Sequence, residues 1–152
     1  MHLKEIKHYH AVSDYIASSG QPLANQFAAI AEAGYQKVIN LAMPDSANAI
    51  ENEDRIVAGL NMTYVHLPVP FDAPTVRHLQ SFFNVMQHDV EQKIWVHCAL
   101  NYRVSAFLYH YHRFVLKQSE AEAKKVMLPS WEPNPTWQQF LRISVDDVKL
   151  QP

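Results

Sequence analysis

Residues 93–116, "KIWVHCALNYRVSAFLYHYHRFVL", change their periodicity once, and that change decides the fold. The first five residues, KIWVH, are short and nearly all apolar, as in a strand buried on both faces. From Val104 onward the spacing is helical: Val104, Phe107, Leu108, Tyr111 and Val115 recur at intervals of three and four. Between strand and helix lies the short segment Cys98–Arg103, which contains the chain's only cysteine.

The same alternation extends in both directions. Upstream, "YHAVSDYIASSGQP" (9–22) reads as a short β entry with a turn, ending at the Gly20–Pro22 break. Leu23, Phe27, Ile30 and Ala31 mark a helix over 23–33, with Gly34 as its stop. "KVINL" (37–41) is a strand, and Ile50, Val57 and Leu60 mark a helix over 49–60. The acids Glu51, Glu53 and Asp54 near its start suit the helix dipole. "MTYVHLPV" (62–69) alternates as a strand, and Val76, Leu79, Phe82, Phe83 and Met86 form the stripe of the next helix. Two further helices are expected at roughly 119–127 and 135–145, with Trp131 and Trp137 pinning them to the core. Strands alternating with helices imply an α/β fold: a mostly parallel central sheet flanked by helices on both faces. Cys98 then sits at the C-terminal end of a strand, where such sheets bind ligands.

Composition narrows the function classes. A chain of 152 residues is expected to form one domain that buries about 70% of its extended surface. With 13 Lys and Arg against 15 Asp and Glu, there is no basic excess to recommend nucleic acid or an anionic membrane as partner. No apolar run approaches membrane-spanning length, and one cysteine permits no internal disulfide, so a cytoplasmic location is expected. The His8/His10 and His110/His112 pairs are spaced i,i+2, which is not the i,i+4 spacing of a helical metal site, and no metal or cofactor is expected. Nothing in the sequence sets the oligomeric state.

The chemistry follows from where Cys98 stands. A helix N-terminus presents unpaired N–H groups and a partial positive charge. With Arg103 and His97 nearby, that field favours a thiolate over the thiol, whose pKa is about 8.5 in free cysteine. The N–H groups of residues 99–103 (Ala99, Leu100, Asn101, Tyr102 and Arg103) would cradle a phosphate, and the Arg103 guanidinium would add a planar fork. A thiolate beneath such a cradle can attack phosphorus directly. Asn40, a polar residue in an apolar strand, is expected to bond a neighbouring loop, the Cys98 loop among the candidates. Asp45, after the same strand, is read as a helix cap or a second-choice acid.

These residues resemble a known family. "VHCALNYRVS" (96–105) is similar to the signature loop of the protein tyrosine and dual-specificity phosphatases: His-Cys, five residues, Arg, then Ser or Thr. "SGQPLANQFAAIAEAGYQKVINL" (19–41) and "YVHLPVPFDAP" (64–74) resemble the small bacterial phosphatase-like members. The resemblance implies a phosphorylated substrate, protein or small molecule. It makes Cys98 the nucleophile, Arg103 the phosphate clamp, Asp72 the general acid and Ser105 the hydroxyl that helps the thiolate leave, with His97 supporting.

Two departures stand out. The spacing here is Cys-x4-Arg, one residue shorter, and Asn101 stands in a loop that lacks the family's usual glycine. The shorter spacing is also similar to that of rhodanese-type sulfurtransferases, although the upstream segment typical of those enzymes is missing. A catalytically weak domain that only binds an anion or a partner is the other alternative.

Overall fold

The computed structural model describes residues 2–87 and 92–149. Five strands form one sheet: β1 (His10–Ala11), β2 (Ile16–Ser19), β3 (Lys37–Asn40), β4 (Thr63–His66) and β5 (Ile94–His97). Their order is β1-β2-β5-β3-β4, with β1 antiparallel to β2 and every other pairing parallel. The expected α/β architecture with a mostly parallel sheet is therefore observed. All four residues of β5 are buried, consistent with their near-uniform apolar character.

Helices cover both faces. On one side lie α1 (Phe27–Glu32) and α2 (Glu53–Gly59), packing Phe27, Ile30 and Val57 against Val38 and Trp95. On the other are α3 (Val76–Gln87), α4 (Tyr102–His110) and α6 (Pro135–Leu141). There Phe82, Phe107, Trp137 and Phe140 pack over Ile39, Val96 and Cys98. Side chains of a strand alternate between faces, so Trp95 and His97 point towards α1 and α2, whereas Val96 and Cys98 point towards α3 and α4. The Phe27 ring, 6.2 Å from that of His97, confirms this placement.

Element boundaries depart from the sequence reading in several places. The helix expected over 23–33 opens with a tight 3₁₀ turn at Ala24–Gln26, and that expected over 49–60 begins only at Glu53. The long helix after Cys98 widens into a π-helix over Tyr111–Val115, a register that apolar periodicity does not reveal. The expected 135–145 helix is two: α6, and α7 (Val145–Lys149) restarted by Ser144, whose hydroxyl accepts from the Asp147 N–H. Between π-helix and α6 lies α5 (Glu120–Lys124), capped by Ser119. No helix among the described residues is long and apolar enough to cross a membrane.

The topology places the site. β5 is the last strand added, yet it inserts between β2 and β3, and the register aligns Ser19, His97 and Asn40 in one row across the three strands. One residue further on, the chain leaves the sheet as Gly20, Cys98 and Leu41, a crevice at the carboxyl edge.

Candidate active site

The Cys98 loop is built without glycine. Asn101 takes the left-handed conformation (φ 70°, ψ 12°) that a glycine would otherwise supply, and it is fully buried. Its Nδ2 donates to the His8 carbonyl at 2.9 Å and to Ser18 Oγ at 3.0 Å, bonds a glycine could not make. Asparagine therefore supplies both the backbone geometry and its own anchor.

Successive loop carbonyls are held from outside. His97 Nδ1 lies 3.2 Å from the Cys98 carbonyl. The Ala99 carbonyl accepts from the Gln21 N–H and from Asn48 Nδ2, each at 3.0 Å. His8 Nδ1 lies 2.8 Å from the Leu100 carbonyl, and Ser105 Oγ donates to the Asn101 carbonyl at 2.7 Å. In a planar trans peptide, C=O and the following N–H point in opposite directions. Four carbonyls turned towards these partners therefore turn the N–H groups of Ala99, Leu100, Asn101 and Tyr102 the other way. None of the N–H groups of residues 99–103 has a hydrogen-bond partner among the described residues. Successive backbone N–H groups left free on one side of a loop are the raw material of an anion-binding nest.

Gly20 makes this approach possible. A Cβ there would lie 2.6 Å from the Ala99 carbonyl oxygen, closer than real contacts allow. The end of β2 thus packs backbone to backbone on the loop.

Arg103 is 7% exposed. Its Nη1 donates to the Val69 carbonyl at 3.0 Å, while Nε is buried without a partner among the described residues. A charged donor left unpaired in a buried site is costly unless an anion completes it. The guanidinium also lies over the Phe71 ring, 5.6 Å from its centroid.

The remaining expected site residues are less close together. Asp72 is exposed and makes no hydrogen bond among the described residues; it borders a cleft with Thr136, Gln139 and Ile143. The residue of its loop that faces Arg103 is Phe71, whose carbonyl accepts from Trp137 Nε1 at 2.8 Å. The Ser105 hydroxyl braces the loop, since it also accepts from the Leu128 N–H at 2.9 Å. Asn40 bonds Tyr64 Oη and the Ala42 N–H rather than the Cys98 loop. Asp45 is exposed in a turn and caps no helix, because α2 starts after Asn52.

Sequence reasoning missed Glu53. Its carboxylate is 6% exposed and meets His97 Nε2 at 2.5 Å, while its other oxygen accepts from Gln21 Nε2 at 2.8 Å. Burial pushes this carboxyl up, but the bond and charge of His97, with help from Gln21 and His66, hold it below the ordinary carboxylate range. Glu53 also lines a cleft of ≈ 320 Å³ with Asn40, Tyr64 and His66, beside the loop.

A mostly parallel sheet with Cys98 at its carboxyl edge, followed by a helix carrying a buried arginine, is a phosphatase-like α/β fold. Comparison with known proteins gives the family. The family described as "DSP-PTPase phosphatase fused to NAD+ Kinase" matches residues 8–139, and the chain belongs to it. A DUF442 protein of Shewanella putrefaciens CN-32, a candidate phosphatase, is 31% identical over 91% of each chain, with a TM-score of 0.82. More distant relatives share the fold. Tk-PTP in its active form is 16% identical, covering 95% of this chain and 98% of its own, with a TM-score of 0.76. TpbA of P. aeruginosa, solved with pTyr, is 16% identical, covering 94% and 88%, with a TM-score of 0.75. No curated protein matches the chain. Family membership places the four-residue spacing in the phosphatase lineage rather than that of the rhodaneses.

Proposed function

We propose that this protein hydrolyses phosphate monoesters through a phospho-cysteine at Cys98, without a metal. The outward-held carbonyls of residues 98–101 carry this reading, because they leave four N–H donors free for the three non-bridging oxygens of a phosphoryl group. The buried, unpartnered Nε of Arg103 supports it as the lateral clamp.

In the first step Cys98 Sγ attacks phosphorus, an S–P bond forms and the ester P–O bond breaks. The leaving oxygen takes a proton from Asp72, the acid on the loop that Arg103 and Trp137 hold through the Val69 and Phe71 carbonyls. Water then attacks phosphorus, releasing inorganic phosphate and the thiolate. Ser105 acts through the loop in this scheme, keeping the Asn101 carbonyl turned out. The substrate is a phosphorylated protein or small molecule, in keeping with the structural relatives solved with pTyr and with PI(5)P.

The test is hydrolysis of a generic aryl phosphate by wild type and Cys98→Ser. Wild type should turn over and the variant should not; equal residual rates would remove the catalytic claim. The exposed, unbonded Asp72 favours a second reading, in which the domain binds the anion but turns over slowly. That reading predicts phosphate binding with no phospho-enzyme.

A further inference from the structure

Glu53 occupies an inward position of α2, one turn before the fully buried Val57. Isolated carboxylates avoid such places unless they are bonded, and both Glu53 oxygens are. Its two partners are also the residues that hold the first two loop carbonyls. His97 presents Nε2 to Glu53 and Nδ1 to the Cys98 carbonyl. Gln21 gives its side-chain Nε2 to Glu53 and its backbone N–H to the Ala99 carbonyl.

A carbonyl oxygen only accepts, and an ionised carboxylate only accepts. Both ring nitrogens of His97 therefore face acceptors, an arrangement that an imidazolium paired with a carboxylate would satisfy. Strand alternation puts this ring on the face opposite Cys98 Sγ, so neither Glu53 nor His97 touches the reacting atoms. Other ionisable groups face the pair as well. Tyr64 and His66 approach Glu53 from β4, and Tyr64 also feels Asp54 of α2. Arg103 of α4 is engaged elsewhere, with the Val69 carbonyl and the Phe71 ring.

We propose that Glu53 is a positioning residue for the Cys98 loop. It keeps His97 doubly protonated and Gln21 in place, so that the Cys98 and Ala99 carbonyls stay turned out and the Ala99 and Leu100 N–H groups face the anion. The positive end of the pair is directed towards Cys98. This proposal rests on the phosphatase reading above for the identity of the anion.

The chain's single cysteine makes the test direct. Thiolate absorbance in the near ultraviolet reports Cys98 alone, with Cys98→Ser as the blank. Wild type and Glu53→Gln are titrated, and inorganic phosphate binding is measured by calorimetry. In Glu53→Gln the thiolate midpoint should rise by about one pH unit, tenfold in ionisation, and phosphate should bind about tenfold more weakly. An unchanged or lowered midpoint in a folded Glu53→Gln protein overturns the proposal. A carboxylate acting only as a nearby negative charge would lower the midpoint when removed.

If Glu53→Gln does not fold, the imidazole ¹⁵N shifts of His97 in the wild type decide. Two protonated nitrogens at pH 7 support the proposal, and one bare nitrogen overturns it. A wild-type midpoint like that of free cysteine, with no phosphate binding, would remove the phosphatase reading itself. A depressed wild-type midpoint that ignores Glu53→Gln would remove only the role of Glu53.

Discussion

Arg103 Nη1 donates to the Val69 carbonyl at 3.0 Å, tying the start of α4 to the loop that carries Asp72. One guanidinium edge is thus structural, and the buried Nε on the other has no partner among the described residues. Lysine cannot brace Val69 and clamp a phosphate at once, because it offers a point charge rather than a fork. Arg103→Lys should lower kcat/KM on an aryl phosphate by roughly a hundredfold, given about 1.5–3 kcal/mol for a charge-assisted bond. Steady-state kinetics check this; a change under threefold would mean that Arg103 does not clamp the phosphate.

Gly20→Ala probes the contact between β2 and the loop. Its methyl would meet the Ala99 carbonyl at 2.6 Å, so one backbone must move. Overpacking of this kind costs about 1–3 kcal/mol. Because the obstructed carbonyl is one that orients the nest, phosphate affinity should fall further than stability does. Calorimetry alongside urea unfolding separates the two effects.

Asn101 combines left-handed backbone with buried anchoring, and two substitutions divide them. Asn101→Gly keeps the conformation but loses the bonds to His8 and Ser18. Asn101→Ala loses those bonds and adds left-handed strain of about 1–2 kcal/mol. Urea denaturation should rank the wild type above Gly and Gly above Ala.

Asp72→Asn should leave the unfolding midpoint unchanged, since the side chain is exposed and unbonded. Its effect should fall on turnover, small for nitrophenyl phosphate and at least about tenfold for alkyl phosphates, whose leaving oxygens need a proton. A profile flat across leaving groups would move the acid role away from Asp72.

His110 gives a pH prediction independent of activity. It is fully buried, and burial, opposed by the bond its Nε2–H donates to the Phe140 carbonyl, lowers its pKa from 6.5 to about 4. The folded state therefore keeps it neutral where the unfolded state binds a proton. That contribution to stability is present above pH 6.5 and is lost as pH falls towards 4. Between pH 7 and pH 5 it amounts to about 2 kcal/mol. Urea unfolding at both pH values should show the loss, and His110→Gln should flatten it.

The alternation of strand and helix, read from apolar spacing alone, yields the sheet and places Cys98 at its edge. The order β1-β2-β5-β3-β4 was not legible, because no local pattern records where a strand inserts. Asn101 was readable as the glycine substitute, since left-handed tolerance is a property of the residue itself. Glu53 was read as a dipole acid at a helix start. One signal was available: it lies three residues after Ile50 and four before Val57, a carboxylate at an inward position of an otherwise apolar stripe. Its partners His97 and Gln21 are 44 and 32 residues away in sequence, and only folding brings them together. Asn48 and His8, which hold loop carbonyls from distant segments, were hidden for the same reason.

The most direct measurement is the intact mass of the protein, acid-quenched during turnover of an aryl phosphate. Phosphoryl transfer through Cys98 predicts a species heavier by one phosphoryl group, discharged by iodine, which cleaves a sulfur–phosphorus bond and leaves an oxygen ester intact, and absent from Cys98→Ser. Turnover without that species, or the same species in Cys98→Ser, would contradict it.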